Sequence, residues 1–246
     1  MAGAKLHPRL EEFCAHTGFA FLRPSAFGSA SGSLRRRQAV AEVRAAGRAQ
    51  IRAPPKMPGL GSARASIILV EYMDYNCPSC RGMAPDFQRL VKTDSDVRVL
   101  FKDWPIFGPV STYAARAALA AQYQGKYLIA HQALLSTPDR LSSVPQIRQA
   151  LRHAGINLKR LDVDLKEHDA AINGTLARIR AEARGLGLQG TPGLIVGDLF
   201  VPGAVDFADL QKLIAIVRNQ ARHGTHERDV APSLHKPEHS HVPGRD

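Results

Sequence analysis

Apolar residues gather in the middle of the chain and thin out toward both ends. An unbroken run, Ile67, Ile68, Leu69 and Val70, predicts a buried strand over Ser66 to Tyr72; alternation at Val97, Val99 and Phe101 predicts a second over Val97 to Lys102. Between them Cys77 to about Lys92 follows a helical pattern, so the order strand, helix, strand implies a right-handed crossover. Pro78 suits the first helical turn, where its missing N–H costs nothing, whereas Pro85 is expected to kink the helix partway along.

A mostly helical stretch follows from about Ser111 to Gly187, long enough to form its own subdomain. Ala114 to Ala121 favour helix strongly, and Ser142 or Ser143 suits a cap. Strand pattern returns at Gly193 to Val196 and Leu199 to Pro202, with Gly197-Asp198 as the hairpin turn between them. Asp206 opens a last helix, Phe207 to about Asn219, whose Leu210, Leu213, Ile214 and Val217 make one apolar face.

The ends read differently. Residues 1–57 show no sustained period and run into the linker-like Ala53-Pro54-Pro55-Lys56-Met57-Pro58; they are expected to be a flexible basic leader. Residues 220–246 are polar and His-rich (His223, His226, His235, His239, His241), too poor in apolar groups to offset their ordering entropy, and disorder is expected. No export signal is readable: Phe13 to Leu22 follows Glu11 and Glu12 and is interrupted by His16 and Thr17, and charged residues break the segment after Arg35 to Arg37. No stretch approaches the roughly 20 apolar residues that span a bilayer, so no membrane span is expected.

The formal charge of +11 invites a nucleic-acid reading, but it is unevenly placed. Residues 1–65 hold 11 Lys/Arg against 3 Asp/Glu, while residues 66–219 hold 18 against 15. A phosphate-binding domain clusters its basic residues on a folded face with stacking aromatics, and Arg35, Arg36 and Arg37 lie instead among Ala, Gly and Pro with no such motif. Nucleic acid is therefore not an expected partner.

Three cysteines are too few for a disulfide-stapled scaffold, and Cys14 is far from the pair Cys77-Pro78-Ser79-Cys80. A strand that delivers two cysteines to a helix N-terminus exposes the first to peptide N–H groups and the positive end of the helix dipole, which favours thiolate over thiol. Cys77 is thus the candidate nucleophile and the more exposed sulfur. Cys80, one turn on and facing inward, is the candidate resolving thiol, since intramolecular attack has a large entropic advantage. A zinc site would need two further ligands, which Cys14 and the tail histidines could supply only by folding back.

The stretch GSARASIILVEYMDYNCPSCR, Gly61 to Arg81, resembles the active-site entry of DsbA-like thiol:disulfide oxidoreductases of the thioredoxin superfamily, in the branch reading VEYxDYxCPxC. Phe101-Lys102-Asp103-Trp104-Pro105-Ile106, the Ala-rich helix through Gln124-Gly125-Lys126-Tyr127 to His131, and Gly190-Thr191-Pro192 follow in the family's order, so the match covers about Pro58 to Val217.

The resemblance implies an α/β, thioredoxin-like fold over residues 58–219 with a helical insertion at about 111–187. It implies exchange of disulfides with substrate proteins and a redox partner protein, in a periplasmic or otherwise extracytoplasmic space. No cofactor beyond the Cys77–Cys80 dithiol is called for. Glu71 matches a buried acid that shuttles the resolving cysteine's proton, Lys102 a lysine that pairs with that acid, and Thr191-Pro192 the family's cis-proline loop, which receives an extended peptide.

Strongly oxidising relatives carry His at the second intervening position, where Ser79 offers a neutral hydroxyl, and Thr191 resembles the isomerase and reductase-like members. A milder poise is expected, with the direction of exchange open. Tyr72, Met73, Tyr75, Met83 and Trp104 are read as core. The alternative is a metal-binding assembly chaperone on the same scaffold, using the CxxC and the His-rich tail.

Overall fold

The computed structural model describes residues 59–226. The leader through residue 58, with Cys14 and Arg35 to Arg37, and the tail from residue 227 lie outside the described residues. The chain order is β1 (Gly59–Gly61), β2 (Ile67–Met73), α1 (Pro78–Thr93), β3 (Val97–Asp103), α2 (Pro109–Ala121), a 3-10 turn (Gln122–Gln124) and α3 (Tyr127–Leu135). There follow α4 (Val144–His153), α5 (Leu158–Glu167), α6 (Asp169–Gly185), β4 (Gly193–Val196), β5 (Leu199–Val201) and α7 (Phe207–His226). The strands form one sheet in the order β1-β3-β2-β4-β5. β2 and β3 are parallel; β1 on β3, β4 on β2 and β5 on β4 are antiparallel. This is the α/β core that the thioredoxin-like expectation calls for, and the helices α2 to α6 are its helical insertion.

Each central strand divides its side chains between two apolar clusters. Leu69, Met73, Val97, Val99 and Phe101 face the main core with α1, the Ala-rich α2 and α7, while Val70, Tyr72 and Leu100 face Ile179 and Ala183 of α6. A period of two on adjacent parallel strands makes this separation, because register partners share a face. α1 buries Met83, Phe87 and Leu90 on that main face; losing one such buried aromatic side chain would cost about 3–5 kcal/mol.

Local signals explain the helix ends. Cys77 is the N-cap of α1, Pro78 opens it, and the Asp94 N–H closes on the Leu90 carbonyl. The helix continues through Pro85 to Thr93. Ser143 caps α4 by accepting from the Gln146 N–H, and Gln146 Oε1 in return accepts from the Ser142 N–H at 2.8 Å.

Two features differ from the sequence expectation. β1 was not legible: Gly-Leu-Gly is a poor strand former, yet it pairs with β3 because only glycine fits. A Cβ on Gly59 or Gly61 would lie 2.5 Å from the carbonyl oxygen of Val99 or Val97, and Gly61 has φ +92°. At the other end α7 runs to His226 rather than stopping near Asn219.

Candidate active site

β2 ends at Met73 and leads into a clamped loop that sets up Cys77. Asp74, 1% exposed, accepts hydrogen bonds from Asn76 N (2.7 Å), Ile106 N (2.6 Å), Phe107 N (3.0 Å) and Ser111 Oγ (2.7 Å). Asn76 exchanges two bonds with Leu141 of the helical insertion, donating to its carbonyl at 2.9 Å and accepting from its N–H at 2.8 Å. Arg81 donates to the carbonyls of Tyr75, Leu134, Thr137 and Asp139. One buried carboxylate, one amide and one guanidinium thus tie the cysteine loop to both the sheet and the insertion.

Both cysteines are free thiols. Cys77 is 2% exposed and Cys80 1%, so Cys77 is the more exposed of two buried sulfurs. What separates them is hydrogen bonding. The Cys77 sulfur accepts from the Cys80 N–H at 3.4 Å and lies 3.2 Å from the Thr191 carbonyl. The Cys80 thiol, Thr191 and the helix N–H groups hold the Cys77 pKa down to about 6 against the opposing pull of burial. Cys80 is pushed strongly the other way, first by burial and then by its bond to Cys77 and the nearby charge of Glu71.

Glu71 projects from β2 into the main core at 1% exposure, and Oε1 has no hydrogen-bond partner. Burial, then the charge of Cys77, raises its carboxyl well above the ordinary range, with the Cys80 thiol's hydrogen bond opposing. It therefore stands beside the resolving sulfur.

Lys102 does not meet it, which corrects the expected pairing. Register sets Lys102 beside Tyr72 and Glu71 beside Phe101, so the lysine belongs to the opposite face. There it forms an ion pair with Glu182 of α6 and lies 5.2 Å from the Tyr72 ring centroid.

Antiparallel pairing of β4 on β2 matches Tyr72 with Gly193, which brings Thr191 and Pro192 past the end of β2 and onto Cys77. The Thr191–Pro192 peptide is cis. Tyr72, Met73, Tyr75, Met83 and Trp104 are all buried. Among the described residues, the group of His and acidic side chains close enough to hold one metal ion is Asp164, Glu167 and His168, and it includes neither cysteine.

Sequence reasoning missed Asp74, Arg81 and a buried set behind Glu71. Asp103, Tyr75, Tyr127 and His131 are all at most 5% exposed. Asp103, Tyr127 and His131 lie in segments that carry the family resemblance and Tyr75 was read as core, but no local pattern shows that the fold gathers them behind Glu71.

Residues 68–215 match the family described as the DSBA-like thioredoxin domain. The chain belongs to the DsbA-like thioredoxin family. On that scaffold the pair Cys77–Cys80 heads the first helix.

Among solved structures, a thioredoxin-like oxidoreductase from Silicibacter pomeroyi DSS-3 is 36% identical, covering 68% of this chain and 94% of its own, with a TM-score of 0.64. The thiol-disulfide exchange protein alpha-DsbA2 from Wolbachia pipientis is 28% identical over 75% of this chain and 98% of its own, with a TM-score of 0.67. A curated relative, the Na(+)/H(+) antiporter NhaA 3 of Salinispora tropica, is 32% identical over 55% of this chain and 21% of that protein. The chain spans about a quarter or less of the length of such curated relatives. Among the described residues no helix is long and apolar enough to cross a membrane.

Proposed function

We propose that this DsbA-like chain exchanges disulfides with protein thiols, Cys77 attacking and Cys80 resolving. The observation that carries the reading is the opposite displacement of the two thiols, Cys77 toward thiolate and Cys80 toward thiol, one helical turn apart.

In the reductive direction the Cys77 thiolate attacks a substrate disulfide, forming a Cys77–substrate S–S bond while the other substrate sulfur leaves with the electron pair as thiolate. Cys80 then gives its proton to Glu71 and attacks Cys77, and the second substrate sulfur leaves; oxidation of a substrate dithiol runs these steps backwards. Glu71 suits the base role because it is buried beside Cys80 with one oxygen unpartnered. Thr191 and Pro192 lie at the attacking sulfur, where an extended peptide would align.

Ser79 adds no charge beside Cys77, which supports a poise milder than that of relatives with histidine there; Thr191 fits an isomerase or reductase sense. Partners are then substrate proteins and a redox partner protein. An extracytoplasmic compartment fits disulfide chemistry and the family. For the metal-chaperone alternative, the group among the described residues that could close on an ion lacks both cysteines, and most of the His-rich tail lies outside the described residues.

The test is exchange with a dithiol peptide. Oxidised protein should oxidise it, Cys80→Ser should trap a mixed disulfide when given the peptide in its disulfide form, and Cys77→Ser should do neither; full activity in Cys77→Ser would overturn the reading. The reduction potential of the pair then decides the sense, a strongly negative value marking a reductant.

A further inference from the structure

A second buried carboxyl stands next to Glu71. In the parallel register Glu71 lies beside Phe101 and Met73 beside Asp103, so the two acids share a face, two residues apart along the ladder. Strand spacing sets their Cα atoms about 8 Å apart, a gap two carboxyl side chains bridge directly or across one water. Both are 1% exposed, and each keeps an oxygen with no hydrogen-bond partner, Glu71 Oε1 and Asp103 Oδ1. Adjacent buried carboxyls cannot both ionise cheaply, and orphaned oxygens at such depth call for a shared proton or a bridging water.

From Asp103 a line of hydrogen-bonding groups leads outward. The Tyr127 hydroxyl donates to Asp103 Oδ2 at 3.0 Å. Tyr75 lies close enough to Asp103 and Tyr127 for both to act on its titration, and its hydroxyl is 3.2 Å from His131 Nδ1. His131 in turn lines a cavity of about 20 Å³ with Gln88, Phe101, Gln132 and Ser136. That volume admits a single water, and Gln132 and Ser136 are exposed. Burial keeps the His131 ring neutral near pH 7, with one nitrogen to accept and one to donate. The remaining charged groups facing the pair are Cys77 and Cys80 at the start of α1 and Asp74 in the loop after β2; Lys102 is on the other face.

We propose that Asp103 is the partner through which Glu71 handles the Cys80 proton: the two carboxyls share one proton, and Tyr127, Tyr75 and His131 link them to solvent at Gln132 and Ser136. This rests on the exchange reading above. When Cys80 attacks a Cys77 mixed disulfide, the Cys77–Cys80 bond forms, the substrate sulfur leaves with the electron pair, and the Cys80 proton enters the pair while the line passes one on to water. Asp103 never touches substrate; it is a positioning residue acting through Glu71.

The test mixes reduced protein with oxidised glutathione and follows release of the second glutathione from Cys77 across pH. Two coupled carboxyls give the wild type two inflections in that rate. Asp103→Asn, which keeps an acceptor for the Tyr127 hydroxyl, should collapse them to one and lower the plateau about tenfold, a fraction of what general acid–base catalysis supplies. A merely structural residue would not change the number of inflections.

A single inflection in the wild type, or an Asp103→Asn profile superimposed on it, overturns the proposal. Should Asp103→Asn fail to fold, Tyr127→Phe decides: it removes a donor that lowers the Asp103 pKa, so both inflections move to higher pH, and unmoved inflections overturn the relay. Wild type that never releases the second glutathione sinks the exchange reading instead.

Discussion

Glu71 and Lys102 sit on neighbouring strands of one sheet yet point to opposite faces. Glu71 looks toward Cys80 in the main core, and Lys102 pairs with Glu182 on α6. Lys102→Met should therefore leave the pH dependence of exchange as it is in the wild type, whereas Glu71→Gln should change it. The ion pair is mostly buried, so its loss should cost about 1–3 kcal/mol in denaturant unfolding. A pH profile for Lys102→Met that matches Glu71→Gln would contradict this placement.

The Cys77 thiol should titrate near 6, read as thiolate ultraviolet absorbance and as the pH dependence of alkylation. Its folded pKa lies below the ordinary value of 9.0, so the folded state releases the proton first. The stability this contributes to the reduced protein is fully present above about pH 9 and is lost as pH falls through about 6. Cys77→Ser should flatten that part of the stability curve.

Asp103 has the opposite sign. Burial raises its carboxyl from 3.8 to about 7, so the folded state keeps a proton that the unfolded chain gives up. Stability should fall as pH rises from about 4 to about 7, by up to about 4 kcal/mol from this group. Unfolding midpoints for Asp103→Asn should show a shallower slope over that window; an unchanged slope would mean that burial does not hold the proton.

Asp74→Ala removes an acceptor used by two backbone N–H groups of the Ile106-Phe107 segment, by Asn76 N and by Ser111 Oγ. Leaving several of these donors unmet should cost about 2–4 kcal/mol. Hydrogen exchange should accelerate at Ile106 and Phe107 before it does in β2 or β3, because that segment loses two backbone anchors while the strands keep their ladder bonds.

Much of the architecture was legible because its signals are local. The run at Ile67 to Val70 and the alternation at Val97, Val99 and Phe101 mark two central strands, and Cys77-Pro78 marks a helix start, since the cap and the N1 proline act within one turn. β1 was not legible, because Gly59 and Gly61 are there to approach the carbonyls of β3, and that demand comes from a strand some forty positions away rather than from local propensity.

For the site, the sequence by itself determined the chemistry on offer: two thiols spaced one helical turn apart at a helix N-terminus, an acid on the incoming strand, and a Thr-Pro that returns much later. A period of two told that Glu71 and Lys102 alternate with their neighbours, but not which helix covers which face. Tertiary structure alone decided that Lys102 goes to Glu182, that Thr191 reaches Cys77, and that Asp103, Tyr127 and His131 gather behind Glu71. Those partners lie tens of residues apart or more, and a one-dimensional pattern carries no information about contacts that only the packing of α3 and α6 on opposite sides of the sheet creates.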